Sequence, residues 1–591
     1  MQYDQKIALK AGGWWAGFAA IIVFGALCFR LGYLPLLQPD EGRNAEVARE
    51  MKVSGDWISP TYNGVTYLDK PAFYFKAVAL SLACFGDSET AARIPSVLFG
   101  LAMLGAVFVF CRRVYGTRVA WLAVIVVAST PLYLANSRIV IFDIALACFT
   151  SGALLCGFLA EREENTTQHS RWWYVLGSAL TGFATLVKGP VGFLIPVLVL
   201  VVFNLVQKRK GFLKRLFAPL NFVVFFGVTL PWFISLCRAH PDFLYYGLVE
   251  ESFHRFTTPK FHRHEPFYFY FLIVAATFFP WSLMLPEAVW RTWKRRWAAT
   301  PADKFCVAWA SVVVIFFSFS QSKLPGYILS ATVPCGILVA RLFEAAWANP
   351  TGKAAQFLKR GTAFFGTFCL LLVVAVLVAW WSGITKPEAL TRPLRLPLAD
   401  ATRLVQSALP MVLLVAAAGA LALVARFRSN LRYAFVCLAL FPVLLIHAGT
   451  KPLDVVFNAK SARQLTRQLP ALSPGTQLAF FHCYPCGLPF YLGRTATLVT
   501  DDGAELTSNY VLYNLKSGQP WAQTLVPGAN FDQWLAARKS AVYLLAEKRR
   551  RDRLDQLAVE LGITVQELNA QYVGVLLPAL AAADVTASSA H

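Results

Sequence analysis

The sequence predicts a polytopic α-helical membrane protein that ends in a small α/β domain. Hydrophobic residues make up 57% of the chain and charged residues 15%, whereas soluble proteins carry about 25% charged residues. Long apolar segments recur along the first three quarters of the chain, and short basic loops separate many of them. This combination excludes an ordinary soluble protein.

About thirteen apolar segments are predicted to cross the membrane, since a membrane-spanning helix needs about 20 mostly apolar residues. The first segment is not predicted to be a cleavable signal peptide, because no small-residue cleavage site follows it. The segments lie near residues 14–34, 94–111, 118–135, 139–159, 172–187, 190–206, 219–238, 268–288, 305–319, 326–342, 361–382, 406–425 and 431–447.

The basic residues set the predicted orientation. They cluster in short loops at 112–118, 208–215, 291–296, 353–360 and 426–432, as the positive-inside rule expects of cytoplasmic loops. The net charge of +22 is therefore explained by membrane topology and does not indicate a nucleic-acid partner. The N-terminus is predicted to lie inside and the C-terminus outside.

A further apolar stretch at 72–86 is predicted to form an interfacial or re-entrant helix. If this stretch crossed the membrane, every later basic loop would lie on the side opposite to Lys6 and Lys10, against the positive-inside rule. The stretch is also short for a span, and Lys76 interrupts it.

Ten of the twelve cysteines lie in or beside apolar segments, where cysteine behaves as a small hydrophobic residue. Only Cys483 and Cys486 lie in the C-terminal tail. Their C-x-x-C spacing permits a disulfide, a redox pair or a chance occurrence. Because no second pair completes a zinc ribbon, a structural or incidental role is favoured.

Two domains are predicted, a membrane domain over 1–450 that includes a first outer loop at 35–93, and a tail domain over 451–591. Roughly 130 residues are enough for a small α/β domain. Short apolar runs in the tail are typical of strands and polar stretches of helices. Strands are predicted at 477–481, 541–545 and 572–577, helices at 458–468 and 531–538, and disorder over the last dozen residues.

Charged residues gather on the predicted outer side, although lysine and arginine are biased toward the other side. Ionisable residues at the ends of membrane helices are costly and are therefore functional candidates. Lysine and arginine neutralise phosphate oxygens, and a nearby carboxylate acts as a general base or orients an acceptor. The candidates are Asp40, Glu41, Arg43, Asp69, Lys70, Arg138, Asp143, Lys188, Lys323 and Tyr327.

Several of these residues also have a purely structural interpretation. An acidic residue stabilises a helix N-terminus, and a long basic side chain anchors at a membrane interface. The interpretations are helix capping for Asp40 and Glu41, an interfacial anchor for Lys70, an ion pair with Arg138 for Asp143, and a basic flank at a helix break for Lys188.

Six short motifs follow one another through the membrane part. They are Pro39-Asp40-Glu41-Gly42-Arg43, Gly55-Asp56-Trp57, Leu68-Asp69-Lys70-Pro71, Ser137-Arg138 with Asp143, Lys188-Gly189-Pro190 and Lys323-Leu324-Pro325-Gly326-Tyr327. As an ordered set they resemble the motifs of the GT-C fold glycosyltransferases. The similarity is to the lipid A aminoarabinose transferases, which are related to protein O-mannosyltransferases.

The resemblance implies a multi-pass enzyme of the bacterial inner membrane, with its active site and tail domain in the periplasm. It would transfer 4-amino-4-deoxy-L-arabinose, or another amino sugar, from undecaprenyl phosphate to a lipid A phosphate. The expected partners are the lipid-linked donor, lipid A and membrane lipids, with no nucleic acid. A cationic sugar on lipid A would weaken the binding of cationic peptides such as polymyxin, by electrostatics.

The resemblance also implies roles for the ten candidate residues. Because the carrier phosphate is the leaving group, stabilisation of its charge by lysine and arginine would contribute strongly. Asp40, Asp143 and Glu41 would be catalytic, Arg43, Lys70, Lys188 and Lys323 would bind the donor phosphate, and Arg138, Tyr327 and Asp69 would line the substrate pocket.

Three positions depart from the family's pattern. Ala72 stands where a second proline is common, Asn44 stands where tyrosine is frequent, and Asp69 is shorter than the usual acidic residue. These departures concern the identity of the sugar and the acceptor more than the type of reaction.

No cofactor is expected to be required. A structural divalent metal is nevertheless compatible with His254, His262 and His264 together with Asp69, since His262 and His264 stand two residues apart, as suits an extended loop.

Two other functions stay open. The same donor chemistry would serve protein hydroxyls or another envelope glycan as the acceptor. A transporter of lipid-linked sugars belongs to a different class, and it would call for charges near the bilayer midplane and an inverted repeat. The sequence shows charges at one interface and no repeat.

Overall fold

The structure is a computed structural model that describes residues 2–162, 168–258, 265–294, 300–394, 396–458 and 461–580. The chain divides into two compact units. The first unit comprises Met1–Leu31, Arg93–Thr385 and Gln406–Lys451, and the second comprises Gly32–Ala92, Lys386–Val405 and Pro452–His591.

Helices account for most of the described chain. Through the membrane part they are Gln2–Leu27, Asp40–Ser54, Phe73–Phe85, Glu89–Tyr115, Thr117–Ala128, Pro131–Asn136, Asp143–Arg162, Gln168–Lys188, Val191–Val206, Phe212–Leu216, Pro219–Ala239, Phe243–Tyr245, Arg255–Thr257, Phe269–Thr277, Leu285–Trp293, Pro301–Phe319, Thr332–Ala348, Lys353–Trp381, Pro387–Leu394, Leu398–Phe427, Leu431–Ala448 and Thr450–Asn458. A π-helix at Tyr246–His254 and 3-10 helices at Trp281–Met284 and Pro325–Ala331 complete this part.

Eight helices of the described residues are long and apolar enough to cross a membrane. The pair Phe269–Thr277 and Trp281–Trp293, bent by 110°, would make a ninth span. The other four predicted spans also contain helices, namely Gly13–Leu27, Thr117–Ala128, Gln168–Lys188 and Val191–Val206. A multi-span helical membrane protein is thus confirmed. The count of about thirteen stays a prediction, because three of these four helices are short and Gln168–Lys188 is less apolar than the eight.

The helices of the first unit pack through a core rich in aromatic rings. Trp15 stacks on Trp347 with ring centroids 5.2 Å apart, and Phe435 meets the edge of Trp15 at 5.5 Å. The indole of the buried Trp281 donates a 3.0 Å hydrogen bond to the Ser129 hydroxyl, as a buried indole N–H requires. This packing fixes the helices whose ends carry several candidate residues.

The stretch predicted to be an interfacial or re-entrant helix forms the helix Phe73–Phe85, which lies in the second unit. It begins directly after Pro71 and Ala72 and ends at Gly86, whose φ of 80° suits glycine. The helix is confirmed, and its position at the membrane stays a prediction.

The tail folds as the predicted α/β domain. Its strands are β3 (Gln477–Phe481), β4 (Thr497–Thr500), β5 (Leu525–Pro527), β6 (Val542–Glu547), β7 (Gln566–Glu567) and β8 (Tyr572–Leu577), and its helices are Ala462–Gln468, Leu488–Leu492, Asn509–Lys516, Phe531–Ala536 and Arg551–Leu561. The sheet order is β5-β4-β3-β6-β8-β7. The first four of these strands run parallel, and β8 is antiparallel to both β6 and β7. Of the last dozen residues, which are predicted to be disordered, 581–591 lie outside the described residues.

The first outer loop and the tail share the second unit, whereas the sequence assigned the loop to the membrane domain. A two-stranded hairpin in the loop pairs β1 (Thr61–Tyr62) with β2 (Val65–Thr66). The Asn63 side chain at its turn exchanges two hydrogen bonds, of 2.8 and 2.9 Å, with the backbone of Ala496. The loop is therefore anchored on the tail.

A second contact inside this unit explains two glycines. A Cβ atom on Gly42 would lie 2.8 Å from the Cα atom of Gly487, so only glycine permits this approach. The backbone that follows the C-x-x-C motif thus packs on the helix that carries Asp40 and Arg43. Cys483 and Cys486 are buried free thiols.

Candidate active site

Asp143 and Lys188 form a largely buried ion pair in the first unit. Asp143 opens the helix Asp143–Arg162 and Lys188 closes the helix Gln168–Lys188. The Lys188 ammonium donates a hydrogen bond to Asp143 Oδ1, and the side chains are 12% and 5% exposed. Helix dipoles favour an acid at an N-terminus and a base at a C-terminus, so each charge lies where its own helix stabilises it. Asp143 therefore pairs with Lys188, whereas the sequence also left an ion pair with Arg138 open.

The Lys-Leu-Pro-Gly-Tyr motif meets this ion pair. The Lys188 Nζ atom lies 4.2 Å from the ring centroid of Tyr327 and 5.2 Å from that of Phe142, which gives favourable cation–π contacts. A Cβ atom on Gly326 would lie 2.8 Å from Asp143 Oδ2, so glycine is needed for the motif to approach the carboxylate. Three predicted site residues, Asp143, Lys188 and Tyr327, are thus brought together.

Arg255 reaches the same cluster and was not predicted as a site residue. Its Nη2 atom donates a 3.4 Å hydrogen bond to the Tyr327 hydroxyl, and its guanidinium also pairs with Glu251. Glu251 lies in the π-helix Tyr246–His254, a wide helical turn of a kind often found at functional sites. The sequence signal that could have identified Arg255 is the density of tyrosine, glutamate, histidine and arginine in the segment 238–266.

The charged groups of Lys323 and Arg138 donate hydrogen bonds to backbone carbonyls. The Lys323 ammonium donates to the Glu265 carbonyl at 2.7 Å, and burial lowers the pKa of Lys323. The Arg138 guanidinium donates to the carbonyls of Ala26 and Phe29 at 3.0 and 2.7 Å. Burial lowers the pKa of Arg138 to about 10, which still leaves it charged at neutral pH. Their proposed contacts with substrate stay predictions.

Asp40 and Arg43 form an ion pair of a different kind in the second unit. Arg43 Nη2 donates to Asp40 Oδ1 at 2.5 Å, and the Asp40 side chain is 51% exposed whereas that of Arg43 is 12% exposed. Arg43 Nη1 donates to the carbonyl and the hydroxyl of Thr507, at 2.9 and 2.8 Å. The guanidinium is therefore held from two directions, while the carboxylate reaches solvent.

The environment of Arg43 keeps it positively charged. Burial by itself would lower the pKa of this guanidinium, but the surrounding Tyr67, Asp40 and Asp69 hold the pKa above its ordinary value. The Tyr67 ring centroid lies 5.9 Å from the guanidinium carbon. Arg43 is thus a fixed, partly enclosed cation beside an accessible carboxylate.

Asp69 caps a helix of the tail. Its carboxylate accepts hydrogen bonds from the backbone N–H groups of Asn509 and Tyr510, at 3.1 and 2.7 Å, and from the Ser508 hydroxyl at 3.2 Å. These groups lie at the N-terminus of the helix Asn509–Lys516, where a carboxylate is stabilising. The geometry gives the predicted pocket residue Asp69 a structural role.

Glu41 and Lys70 also contact backbone. Glu41 is buried, and its Oε2 atom accepts the N–H of Leu37 at 2.9 Å. The Lys70 ammonium donates to the Asp69 carbonyl at 2.7 Å. Glu41 therefore stabilises the chain that enters its own helix, and its catalytic role stays a prediction.

The hypothesis of a structural metal is only partly covered by the structure. His262 and His264 lie outside the described residues. The described ranges contain no group of three or more histidine, cysteine, aspartate and glutamate side chains placed to hold a metal ion. Within them, the His254 Nδ1 atom lies 3.4 Å from Glu250 Oε1.

The chain is similar to proteins that are described as lipid-linked sugar transferases. A family model described as dolichyl-phosphate-mannose-protein mannosyltransferase matches residues 16–246. A protein from Shewanella sediminis, described as undecaprenyl phosphate-alpha-4-amino-4-deoxy-L-arabinose arabinosyl transferase, is 31% identical over 359 residues, which are 61% of this chain and 64% of that protein. A protein of the same description from Yersinia enterocolitica is 29% identical over 370 residues, 62% of this chain and 66% of that protein. The match therefore spans slightly less than two thirds of these relatives.

Two crystal structures of ArnT from Cupriavidus metallidurans extend the similarity to nearly the whole chain. The apo structure is 26% identical with a TM-score of 0.75, and the structure bound to undecaprenyl phosphate is 24% identical with a TM-score of 0.78. Each superposition covers 96% of this chain and 98% of the other. The chain has the GT-C fold. The resemblance that the six motifs indicated is thus confirmed, and the two ion pairs lie within a GT-C architecture.

Proposed function

We propose that this GT-C chain is a glycosyltransferase that moves 4-amino-4-deoxy-L-arabinose, or a related amino sugar, from undecaprenyl phosphate to a phosphate of lipid A. The descriptions of the relatives support the donor and the sugar, and the GT-C fold supports the reaction class. The observation that carries the proposal is the Asp40–Arg43 pair, in which a fixed cation stands beside a carboxylate that is half exposed.

The reaction breaks the bond between the anomeric carbon and the carrier phosphate and joins that carbon to an oxygen of the acceptor phosphate. Negative charge develops on the departing carrier phosphate, and preorganised cations stabilise it. Arg43, Lys70, Lys188 and Lys323 are the proposed cations. The acceptor phosphate is already ionised, so Asp40 orients it and abstracts little or no proton.

Asp143 fixes the lysine that faces the donor in this proposal. An ammonium group has three N–H donors, and Lys188 gives one to Asp143. The remaining donors are available to a phosphate oxygen, and Tyr327 covers one side of the ammonium. Asp143 thus acts by orienting the Lys188 ammonium group.

The active side is proposed to face the periplasm, because the basic loops mark the cytoplasmic side. No metal ion is proposed to take part, since four basic side chains are assigned to the phosphate charge. Purified protein treated with EDTA is therefore expected to keep its transfer rate. A rate that falls with EDTA and returns with a divalent cation would contradict this assignment.

Mass spectrometry of lipid A is the direct test. Cells with this protein and an aminoarabinose donor are expected to show an added aminopentose on lipid A, and cells that carry Asp40→Asn are expected to lose it. Asp502→Asn is the matched control, because Asp502 is an exposed aspartate of the same unit that accepts a hydrogen bond from the Ala504 N–H. Unchanged lipid A in the presence of protein and donor would reject the proposed acceptor.

Protein hydroxyl groups are the second candidate acceptor. The mannosyltransferase family model that matches residues 16–246 favours this alternative. A hydroxyl must lose its proton during transfer, so Asp40 would act as a general base. Glycan profiling of membrane and secreted proteins from the same cells separates the two acceptors.

A further inference from the structure

An apolar cavity that opens to the surface lies among the helices of the first unit. It is bordered by the helices Asp143–Arg162, Gln168–Lys188, Val191–Val206 and Pro219–Ala239. Its walls are mainly apolar and include Gly157, Leu200, Phe217, Phe222 and Phe225. An apolar space of this kind holds little water, so hydrocarbon is its natural occupant in a bilayer.

The basic segment after the cavity, residues 207–216, lies far from the candidate active site. Lys188 precedes the N-terminus of the helix Val191–Val206 and Gln207 follows its C-terminus, a separation of about 24 Å along the helix axis at 1.5 Å per residue. A lipid phosphate beside the basic segment is therefore not the carrier phosphate proposed to meet Lys188.

A basic segment closes one end of the cavity. Residues 207–216 contain five basic residues, Lys208, Arg209, Lys210, Lys214 and Arg215, and no acidic residue. The segment leads directly into Leu216 and Phe217 of the cavity wall. The Asn221 amide, also in the wall, donates to the carbonyls of Arg215 and Leu216 at 2.9 and 3.0 Å.

One buried carboxylate anchors this segment. Glu161 accepts two hydrogen bonds from Arg215, of 2.9 and 2.8 Å, and one from the hydroxyl of Tyr174. Arg209 donates to the Glu161 carbonyl at 2.8 Å. Glu161 balances only one of the five positive charges, and Lys208, Lys210 and Lys214 are exposed. An excess of fixed positive charge thus stands at the end of an apolar cavity.

We propose that this cavity and the segment 207–216 form a binding site for an anionic glycerophospholipid. One acyl chain occupies the cavity, and the phosphate headgroup faces the exposed lysines. Basic pockets between membrane helices are known to favour anionic lipid headgroups. The site depends on neither the sugar nor its acceptor, so it stands or falls apart from the proposed function.

Native mass spectrometry of the full-length protein tests this site. The protein is purified in mild detergent and exposed to equal amounts of phosphatidylglycerol and phosphatidylethanolamine. We expect one retained phosphatidylglycerol. Replacing Lys208, Lys210 and Lys214 together by glutamine is expected to lower the preference for phosphatidylglycerol by about fivefold for each charge removed, from about 1 kcal/mol per basic residue.

Two tryptophan variants separate binding in the cavity from general adhesion of lipid. Val197 lines the cavity, whereas the neighbouring Leu198 does not line it and is 37% exposed. Val197→Trp is expected to abolish retention and Leu198→Trp to keep it. If Val197→Trp does not fold, Ser178→Phe fills the same cavity from another helix.

Three outcomes would overturn the proposal. They are equal retention by the two tryptophan variants, equal retention of the zwitterionic and anionic lipids by the wild-type protein, and loss of the retained phosphatidylglycerol when undecaprenyl phosphate is added. Transfer to lipid A is measured in parallel, so that a failure of the lipid site is distinguishable from a failure of the proposed function.

Discussion

The Asp143–Lys188 and Asp40–Arg43 ion pairs differ in how exposed they are. Asp143 is buried and Lys188 is largely buried, with side chains 5% and 12% exposed, and aromatic rings border the ammonium. Asp40 is half exposed, while Arg43 is enclosed and held by Thr507. The Asp143–Lys188 pair is thus largely shielded from water, whereas the Asp40–Arg43 pair exposes its carboxylate to water.

This difference in exposure predicts different roles for Asp143 and Asp40. A buried ion pair is costly to desolvate, and removing one partner leaves an uncompensated charge. Asp143 is therefore committed to Lys188. An exposed aspartate gains little stability from its partner, so Asp40 is free to exchange that contact for one with a substrate.

The largest effect is expected from breaking the Asp143–Lys188 pair. Asp143→Asn or Lys188→Gln alone should lower the free energy of unfolding by about 3–5 kcal/mol, because the remaining charge is buried without its partner. The transfer rate should fall by about 100-fold or more, the loss typical of removing one charge-stabilising donor. Thermal unfolding in detergent and initial transfer rates measure the two effects.

The double variant Asp143→Asn with Lys188→Gln is the matched control. It should recover much of the lost stability, because neither charge remains buried, but not the transfer rate. Recovery of both quantities would show that the pair is structural only.

At the Asp40–Arg43 pair we expect a smaller loss of stability and a comparable loss of transfer rate. Asp40→Asn should change the free energy of unfolding by less than about 1 kcal/mol, because an exposed partner contributes little. The transfer rate should nevertheless fall by about 100-fold. A stability loss as large as that of Asp143→Asn would remove the distinction between the two pairs.

At the helix cap formed by Asp69 we expect the opposite result, a loss of stability without a loss of transfer rate. Asp69→Asn is expected to cost about 1 kcal/mol, as is usual for a lost cap, and to leave the rate per folded molecule close to that of the wild type. Circular dichroism melting and active-site-normalised rates test this expectation. A lost rate with unchanged stability would instead support the pocket role that the sequence predicted.

The smallest effect is expected at Thr507. Its φ of 53° lies in the left-handed region, so Thr507→Gly relieves about 1 kcal/mol of strain while it removes the hydroxyl that Arg43 contacts. Stability should change little, and the donor KM should rise several-fold because Arg43 is less well held. Thr507→Ser keeps the hydroxyl and should keep the wild-type KM. Equal KM values for the two variants would show that the hydroxyl has no part in positioning Arg43.

The sequence predicted the parts of the fold and of the site that depend on local patterns. Asp143, Lys188 and Tyr327 were identifiable because each charge or ring stands where an apolar segment begins or ends. The strands β3 and β8 were found at their observed bounds because both are apolar runs of five or six residues. β4 and β5, with four and three residues, are too short to give such a pattern.

Contacts between distant segments were beyond sequence reasoning. The partners of Arg43 and Asp69 in the tail lie more than 400 residues further along the chain. Ser508 already accepts a hydrogen bond from Val511 as an ordinary helix cap, so nothing in the tail indicated a second, external carboxylate. Asp69 was therefore assigned to a pocket by its motif, and its bonds to the helix Asn509–Lys516 became visible only in the folded chain.

The close approach of Gly42 and Gly487 has a practical consequence for anyone who dissects this protein. A fragment that starts at Pro452 would lack the outer loop that supplies the contacts of Gly42, Asn63 and Asp69. A soluble version of the tail, for crystallisation or antibody selection, therefore needs the loop Gly32–Ala92 grafted or co-expressed. If the chain is divided before Pro452, neither piece is complete alone. Recovery of activity when the two pieces are expressed together would then serve as a complementation assay.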